Sequence, residues 1–153
     1  MYNTSDSAGL LKVSSPAFGP MEFIPPKYTC DGANINPPLE IAGIPEETAS
    51  LALVVDDPDA PRGTWDHWIV WNIPPQPRIG ENTVPGTEGL NDFRQHHYGG
   101  PCPPSGVHRY FFKIYALDTM LTLPVNARKS DLEKAMEDHV LAKGELVGKY
   151  QRG

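Results

Sequence analysis

Ser50-Leu51-Ala52-Leu53-Val54-Val55-Asp56-Asp57, the connection Pro58-Asp59-Ala60-Pro61-Arg62-Gly63-Thr64-Trp65-Asp66, and then His67-Trp68-Ile69-Val70-Trp71-Asn72-Ile73 form the stretch that decides the fold. Ser50–Val55 and His67–Ile73 are short apolar runs rich in β-branched and aromatic residues, as strands are. The connection carries no helical pattern and is too brief for a parallel crossover, so the two strands are expected to pair antiparallel. Side chains alternate between faces along a strand, so parity decides which residues share a face. On that count Leu51, Leu53 and Val55 share a stripe that Asp57 ends, and Ile69, Trp71 and Ile73 share one that His67 heads.

His108–Leu117 is the strongest strand elsewhere. His108, Tyr110, Phe112, Ile114 and Ala116 alternate with Arg109, Phe111, Lys113 and Tyr115. The second set is also largely apolar, so both faces are expected to be covered, by another sheet or by a dimer partner. A carboxylate, two imidazoles and a phenol thus stand on three apolar stripes. If the strands are neighbours, these groups make one small polar pocket in an apolar rim.

The remaining pattern is weaker. Leu10–Ser14, Met21–Ile24, Leu39–Ile41 and Glu145–Tyr150 are expected as short strands, several cut by proline as edge segments are. Pro74–Ser105 has no sustained periodicity, and a connection of that length inside a domain tends to be functional. One helix is expected from Ser130, where Ser130-Asp131-Leu132-Glu133 has capping-box spacing. Leu132, Ala135, Met136 and His139 or Val140 continue it, and Gly144 is the expected stop. The fold class is mainly β, with one or two short helices.

The chain has 153 residues, which suits a single domain, with residues 1–9 expected as a flexible N-terminus. Its 17 Pro and 14 Gly lie well above the usual combined share of about 12%, and they fall between apolar runs, as turns linking short strands do. The net charge of -6 and the lack of any Lys/Arg cluster argue against nucleic acid or an anionic membrane surface as partner. Met1–Pro20 shows no signal-peptide pattern and no membrane span, so cytoplasmic residence is the expectation. Cys30 and Cys102 are expected as free thiols in a reducing compartment, with a single disulfide between two loops as the alternative.

Asp57-Pro58-Asp59-Ala60-Pro61, Trp65-Asp66-His67-Trp68 with Val70-Trp71-Asn72, and Gly106-Val107-His108-Arg109-Tyr110 resemble the two signature regions of the phosphatidylethanolamine-binding protein family, also called Raf kinase inhibitor proteins. Gly99-Gly100-Pro101-Cys102-Pro103-Pro104-Ser105-Gly106 and the ending Gly144–Tyr150 are similar to its prokaryotic branch. The resemblance runs from about Phe18 to Tyr150. It implies a β-sandwich with a central antiparallel-rich sheet and a small anion pocket at one end. The pocket would hold Asp57, His67, His108 and Tyr110, with Trp65, Asp59, Gly100 and Pro101 shaping its walls. The sequence departs from many eukaryotic members in having Asp66-His67 in place of two successive histidines and a short loop Pro61–Trp65, and no C-terminal helix is expected after the last strand.

Histidine, a tyrosine hydroxyl and the amides of a Gly-rich loop can all donate hydrogen bonds to phosphate oxygens. Asp57 would serve indirectly: by accepting from one histidine it would fix that ring's tautomer and stabilise its charged form, leaving the other nitrogen for the ligand. Asp59 is better placed to stabilise the Pro-rich turn, Gly100 to offer close backbone approach. Arg109 falls on the opposite parity and is expected in a salt bridge or interface. His96-His97 lack further ligands nearby, so no metal and no cofactor are expected. The function expected is a non-enzymatic binding protein for phosphate or a phospholipid head group. It would act as an inhibitor or scaffold for a kinase or serine protease, as a possible homodimer, without integral membrane association. The competing expectation is a phosphoester hydrolase with His67 or His108 as general base, against which no nucleophile-elbow serine is found.

Overall fold

A computed structural model describes residues 8–153. Nine strands are described: β1 (Gly9–Leu10), β2 (Lys12–Ser14), β3 (Leu39–Ala42), β4 (Ser50–Asp57), β5 (Trp65–Ile73), β6 (Arg78–Ile79), β7 (Thr87–Glu88), β8 (His108–Leu117) and β9 (Val140–Tyr150). One helix, α1 (Lys129–Met136), and a 3-10 turn at Pro26–Tyr28 complete them. The first seven positions of the expected N-terminal tail lie outside the described residues; Gly9 is already paired with Ala142.

The strands form a six-stranded sheet in the order β1-β9-β8-β4-β5-β7 and a three-stranded sheet in the order β2-β3-β6. Only β1 runs parallel to its neighbour; β4 pairs antiparallel with both β5 and β8. The two sheets pack face to face across one large core. Leu11, Val13, Leu39, Ile41 and Ile79 from the small sheet meet Leu51, Leu53, Val55, Tyr110, Phe112 and Ile114 from the large one. Each buried aliphatic or aromatic side chain of this kind contributes about 1.5–3 kcal/mol by leaving water.

The far face of the large sheet carries a second, smaller core. Ala52, Val54, Ile69, Trp71 and Leu117 are covered there by Leu121, Ala127, Leu132 and Met136. The second face of β8, through Tyr115, therefore packs under the segment following β8 and α1. Phe111 on that face lies between the cations of Arg109 and Lys113.

Several elements differ from expectation. Met21–Ile24 makes only an isolated bridge, Phe23 to Lys149, because Pro20, Pro25 and Pro26 interrupt the ladder and Met21 turns at φ 61°. The helix starts earlier, at Lys129, where Asp131 rather than Glu133 reaches back, accepting from the Arg128 amide at 2.9 Å. It also stops sooner: Asp138, at φ 65°, reverses the chain into β9. Gly144, read as the stop, lies inside β9, where a Cβ would stand 2.1 Å from the Leu11 carbonyl oxygen. That glycine lets the N-terminal segment cross the sheet.

Parity along β5 is the most consequential difference. Asp56 faces Asp66 and Val55 faces Trp68, so His67 is an extra residue, a β-bulge. A second irregularity at Asn72 (φ 54°) follows. Between them the side chains exchange faces: Trp68 and Val70 join the large core with Ile73, while Ile69 and Trp71 pack on the opposite side. The stripe expected to run from His67 through Ile69 and Trp71 does not exist. The bulge instead turns both His67 and Trp68 toward the large-core side.

Candidate functional site

The end of β4, the start of β5 and the start of β8 meet at one end of the sandwich. A cavity of about 240 Å³ opens there, lined by Asp57, Trp65, His67, His108 and Tyr110 together with Ala60, Pro61, Phe93, Cys102, Pro103 and Pro104. A larger groove of about 630 Å³ crosses the small sheet between Lys12, Glu40, Pro77 and Arg78, but no buried polar groups converge in it.

Burial is high at the polar centre: Asp57 and His67 are each 3% exposed, His108 is 6% and Tyr110 is 0%. His108 Nδ1 donates to Asp57 Oδ2 at 2.6 Å, and the other oxygen of Asp57 accepts the Asp59 amide at 2.7 Å. His67 Nδ1 donates to the Gly99 carbonyl at 2.7 Å. Both rings thus spend Nδ1 on the protein and leave Nε2 free. The Tyr110 ring lies edge-on to His67 with centroids 5.3 Å apart and near-parallel to His108 at 6.5 Å. Its hydroxyl is buried and makes no well-formed hydrogen bond, with the Asp57 carboxylate and the Cys102 backbone as its nearest polar neighbours. Leaving such a group unpaired costs about 1–3 kcal/mol.

Electrostatics follow from this burial. Desolvation holds the His67 imidazole below the usual histidine range, outweighing the Gly99 carbonyl and the Asp57 charge that pull the other way. Burial, then the charges of Asp57 and Asp59, push the Tyr110 phenol well up, so it keeps its proton and can donate. No Lys or Arg lines the cavity.

The connection Pro74–Ser105 supplies one wall. The Asn91 side chain, almost fully buried, donates to the carbonyls of His67 (3.0 Å) and His97 (2.9 Å) and accepts the amides of Phe93 and Gln95. This knot sets Phe93 against Trp65 and His67, with centroids 5.5 and 5.2 Å apart, and carries Gly99 to its place under His67. Next, residues 98–102 are tied to residues 28–34. Tyr98 Oη donates to the Tyr28 carbonyl (2.7 Å), the Gly100 amide to Asn34 Oδ1 (2.8 Å) and the Cys30 amide to the Pro101 carbonyl (3.1 Å).

Cys30 and Cys102 form a disulfide across this junction, with S–S 2.06 Å, which corrects the expectation of free thiols. The two loops run side by side through contacts that a separation of 72 residues hides in the sequence.

Of the eight residues expected at the pocket, five line it. Gly100 and Pro101 sit behind the wall, and the Gly100 amide is taken by Asn34. Asp59 faces outward and clamps Arg109, accepting Nε at 2.9 Å and Nη2 at 2.8 Å as well as the backbone amide. His96 and His97 donate Nδ1 to the carbonyls of Glu88 and Tyr98, away from the pocket. Phe93, Ala60, Pro61, Cys102, Pro103 and Pro104 were not foreseen at the site. The Pro-flanked Cys102 was the one sequence signal of a rigid wall.

On the other side of β4 and β5, Asp56 and Asp66 form a separate charge cluster with Lys113 and Lys129. Lys129 Nζ stands 3.1 Å from Asp56 and 2.8 Å from Asp66, and Lys113 Nζ 3.0 Å from Asp56. Asp92 accepts the Asp66 amide and pairs with Arg128.

Comparison with known proteins agrees with this fold. UPF0098 protein PH1269 of Pyrococcus horikoshii is 56% identical over 153 aligned positions, covering 93% of this chain and 77% of that protein. Among solved structures, a phosphatidylethanolamine-binding protein homologue, CT736 from Chlamydia trachomatis, superposes with a TM-score of 0.91 at 38% identity, over 95% of this chain and 100% of that one. YbcL of E. coli, described as a member of the mammalian PEBP family, gives a TM-score of 0.85 at 31% identity, over 94% and 99% of the two chains. The sequence pattern of the phosphatidylethanolamine-binding protein family matches residues 14–151, and the chain belongs to that family.

Proposed function

We propose that this protein binds a small phosphate-type anion, free or as a head group, in the cavity between β4, β5 and β8, and does so without catalysis. The observation that carries the reading is the convergence on one cavity of the Tyr110 hydroxyl, buried, protonated and without a well-formed hydrogen bond, and two imidazoles whose Nδ1 atoms are spent on the protein. Three such groups from two strands suit the several oxygens of one tetrahedral anion. Asp57 opposes an anion by its charge, yet it holds the His108 ring through Nδ1 and so leaves Nε2 to the ligand.

The lining holds no serine or threonine, and Cys102 is in the disulfide, so no aliphatic hydroxyl or free thiol stands ready as a nucleophile for phosphoryl transfer. Trp65 (39% exposed) and Phe93 (37% exposed) flank the cavity and offer apolar contact to whatever carries the anion, a lipid or a docked protein. Phosphate or phosphoethanolamine titration followed by NMR tests the reading. The His67 and His108 ring signals are expected to shift together and saturably, and His108→Ala to abolish the shift at His67. Signals unmoved at millimolar ligand reject it.

A further inference from the structure

We propose that the pocket selects a phosphomonoester in its singly protonated form, with the P–OH of the ligand donating to Nε2 of His67. The inference rests on the anion-binding reading above and narrows it. A carbonyl oxygen can only accept, so the 2.7 Å contact to Gly99 places the ring proton of His67 on Nδ1. In the neutral ring Nε2 is then a lone pair, and an anion facing it must bring its own proton. The loop that fixes this tautomer is itself fixed, because the Gly99 amide donates back to the His67 carbonyl at 3.2 Å.

Charge points the same way. The groups facing His67 are Asp57 from β4, Tyr110 and His108 from β8, and Phe93 and the backbone of Gly99 and Gly100 from the wall loop, with Asp56 behind β4. Among these only His108 has any capacity for positive charge, and with the Asp57 carboxylate 2.6 Å away the pair adds no net positive charge to the site. Arg109, next in sequence, is held outside by Asp59. In a site without net positive charge a monoanion costs less to bury than a dianion, which doubles the uncompensated charge. A phosphodiester carries the right charge but no P–OH, so its oxygen would face the Nε2 lone pair. It can bind well only after His67 takes up a proton, which burial opposes.

Isothermal titration between pH 5 and 8 with inorganic phosphate, methylphosphonate and dimethyl phosphate separates these cases. The two protonatable ligands are expected to lose affinity about tenfold per pH unit above their own second ionisation, so the fall begins at higher pH for methylphosphonate than for phosphate. Dimethyl phosphate, standing for an intact phospholipid head group, is expected to bind at least about tenfold more weakly at pH 7 and to take up a proton on binding. A common pH midpoint for the first two, or equal affinity of dimethyl phosphate at pH 7, overturns the proposal while leaving anion binding intact. Failure of all three ligands at every pH removes the anion-binding reading itself, and the proposal with it.

His67→Gln gives a side-chain amide that can donate or accept, and is expected to make dimethyl phosphate binding stronger at pH 7 and independent of pH. Should that variant not fold, long-range 15N–1H spectra of the wild type decide: a proton on Nδ1 with a bare Nε2 is required, and the opposite tautomer overturns the proposal.

Discussion

His108 and Asp57, 51 residues apart in sequence, are joined by a 2.6 Å hydrogen bond inside the protein, and the same carboxylate anchors the turn after β4 through the Asp59 amide. One side chain thus orients a cavity-lining imidazole and fixes the loop beside it. Asp57→Asn keeps the shape but weakens the acceptor, so phosphate affinity is expected to fall about tenfold with a small loss of stability. Asp57→Ala leaves a buried imidazole unpaired and is expected to cost about 3 kcal/mol in urea unfolding as well. Unchanged affinity in Asp57→Asn would show that the pair is structural only.

Gly100 reaches the cavity only through its neighbours. A Cβ there would stand 2.3 Å from the Tyr28 carbonyl oxygen and 2.5 Å from Asn34 Oδ1, both held in place by hydrogen bonds. Gly100→Ala must therefore move residues 98–102 and with them Gly99 under His67. The expected outcome is weaker anion binding, by about tenfold, and a shifted His67 signal in the free protein. Binding equal to wild type would show that the wall tolerates displacement.

The Cys30–Cys102 bond closes a loop spanning 72 residues of sequence, and its loss frees that loop in the unfolded chain. Reduction, or the double change Cys30→Ser with Cys102→Ser, is expected to lower unfolding free energy by about 2–4 kcal/mol. Because Cys102 lines the cavity, anion affinity should drop in the same samples. Identical urea midpoints with and without reductant would contradict this.

Strand existence was legible because apolar runs such as Ser50–Val55 and His108–Leu117 are long and bounded by turn residues. The meeting of Asp57, His67, His108 and Tyr110 was also legible, but partly by an incorrect route. Simple alternation put Ile69 and Trp71 on the His67 face, and a bulge, invisible to a period-two count, put them on the other. What the sequence hid depends on contacts between distant loops. Asn91 reads as any loop asparagine, and nothing local tells that it organises Phe93 and Gly99. Gly144 misled because a glycine after a helical pattern normally ends a helix, whereas here it admits Leu11 across a strand.

Acid is expected to destabilise the protein in two separable windows. The imidazole of His67 is depressed by burial, so the stability it contributes is complete above about pH 6.5, the unfolded value, and is lost as pH falls below it. Asp59 is held at about 2 by the Arg109 guanidinium, so its contribution is complete above the unfolded value of 3.8 and is lost as pH falls toward 2. Asp59 and Arg109 are both partly exposed, which limits that contribution to under about 1 kcal/mol. Urea unfolding at stepped pH should show the first loss removed in His67→Gln and the second in Asp59→Asn. Variant curves parallel to the wild type in both windows would refute the assignment.

Behind the pocket, the cluster of Asp56, Asp66, Lys113 and Lys129 gives an asymmetric expectation. Burial, only partly offset by Lys129 and reinforced by Asp92 and Asp56, raises the Asp66 carboxyl above the usual range. Burial also works against the Lys129 charge, but Asp66 and Asp56 outweigh it and raise its ammonium. The lysine is therefore the member that the cluster needs, and charged Asp66 is a cost at neutral pH. Lys129→Met is expected to lose about 3 kcal/mol at pH 7, because Asp66 is left without a cation while Asp56 keeps Lys113. That loss should shrink as pH falls and Asp66 protonates. Asp66→Asn alone should be neutral or mildly stabilising, and adding it to Lys129→Met should recover most of the loss. A double variant no more stable than Lys129→Met would mean that Lys129 acts through the packing of its stem, not through charge.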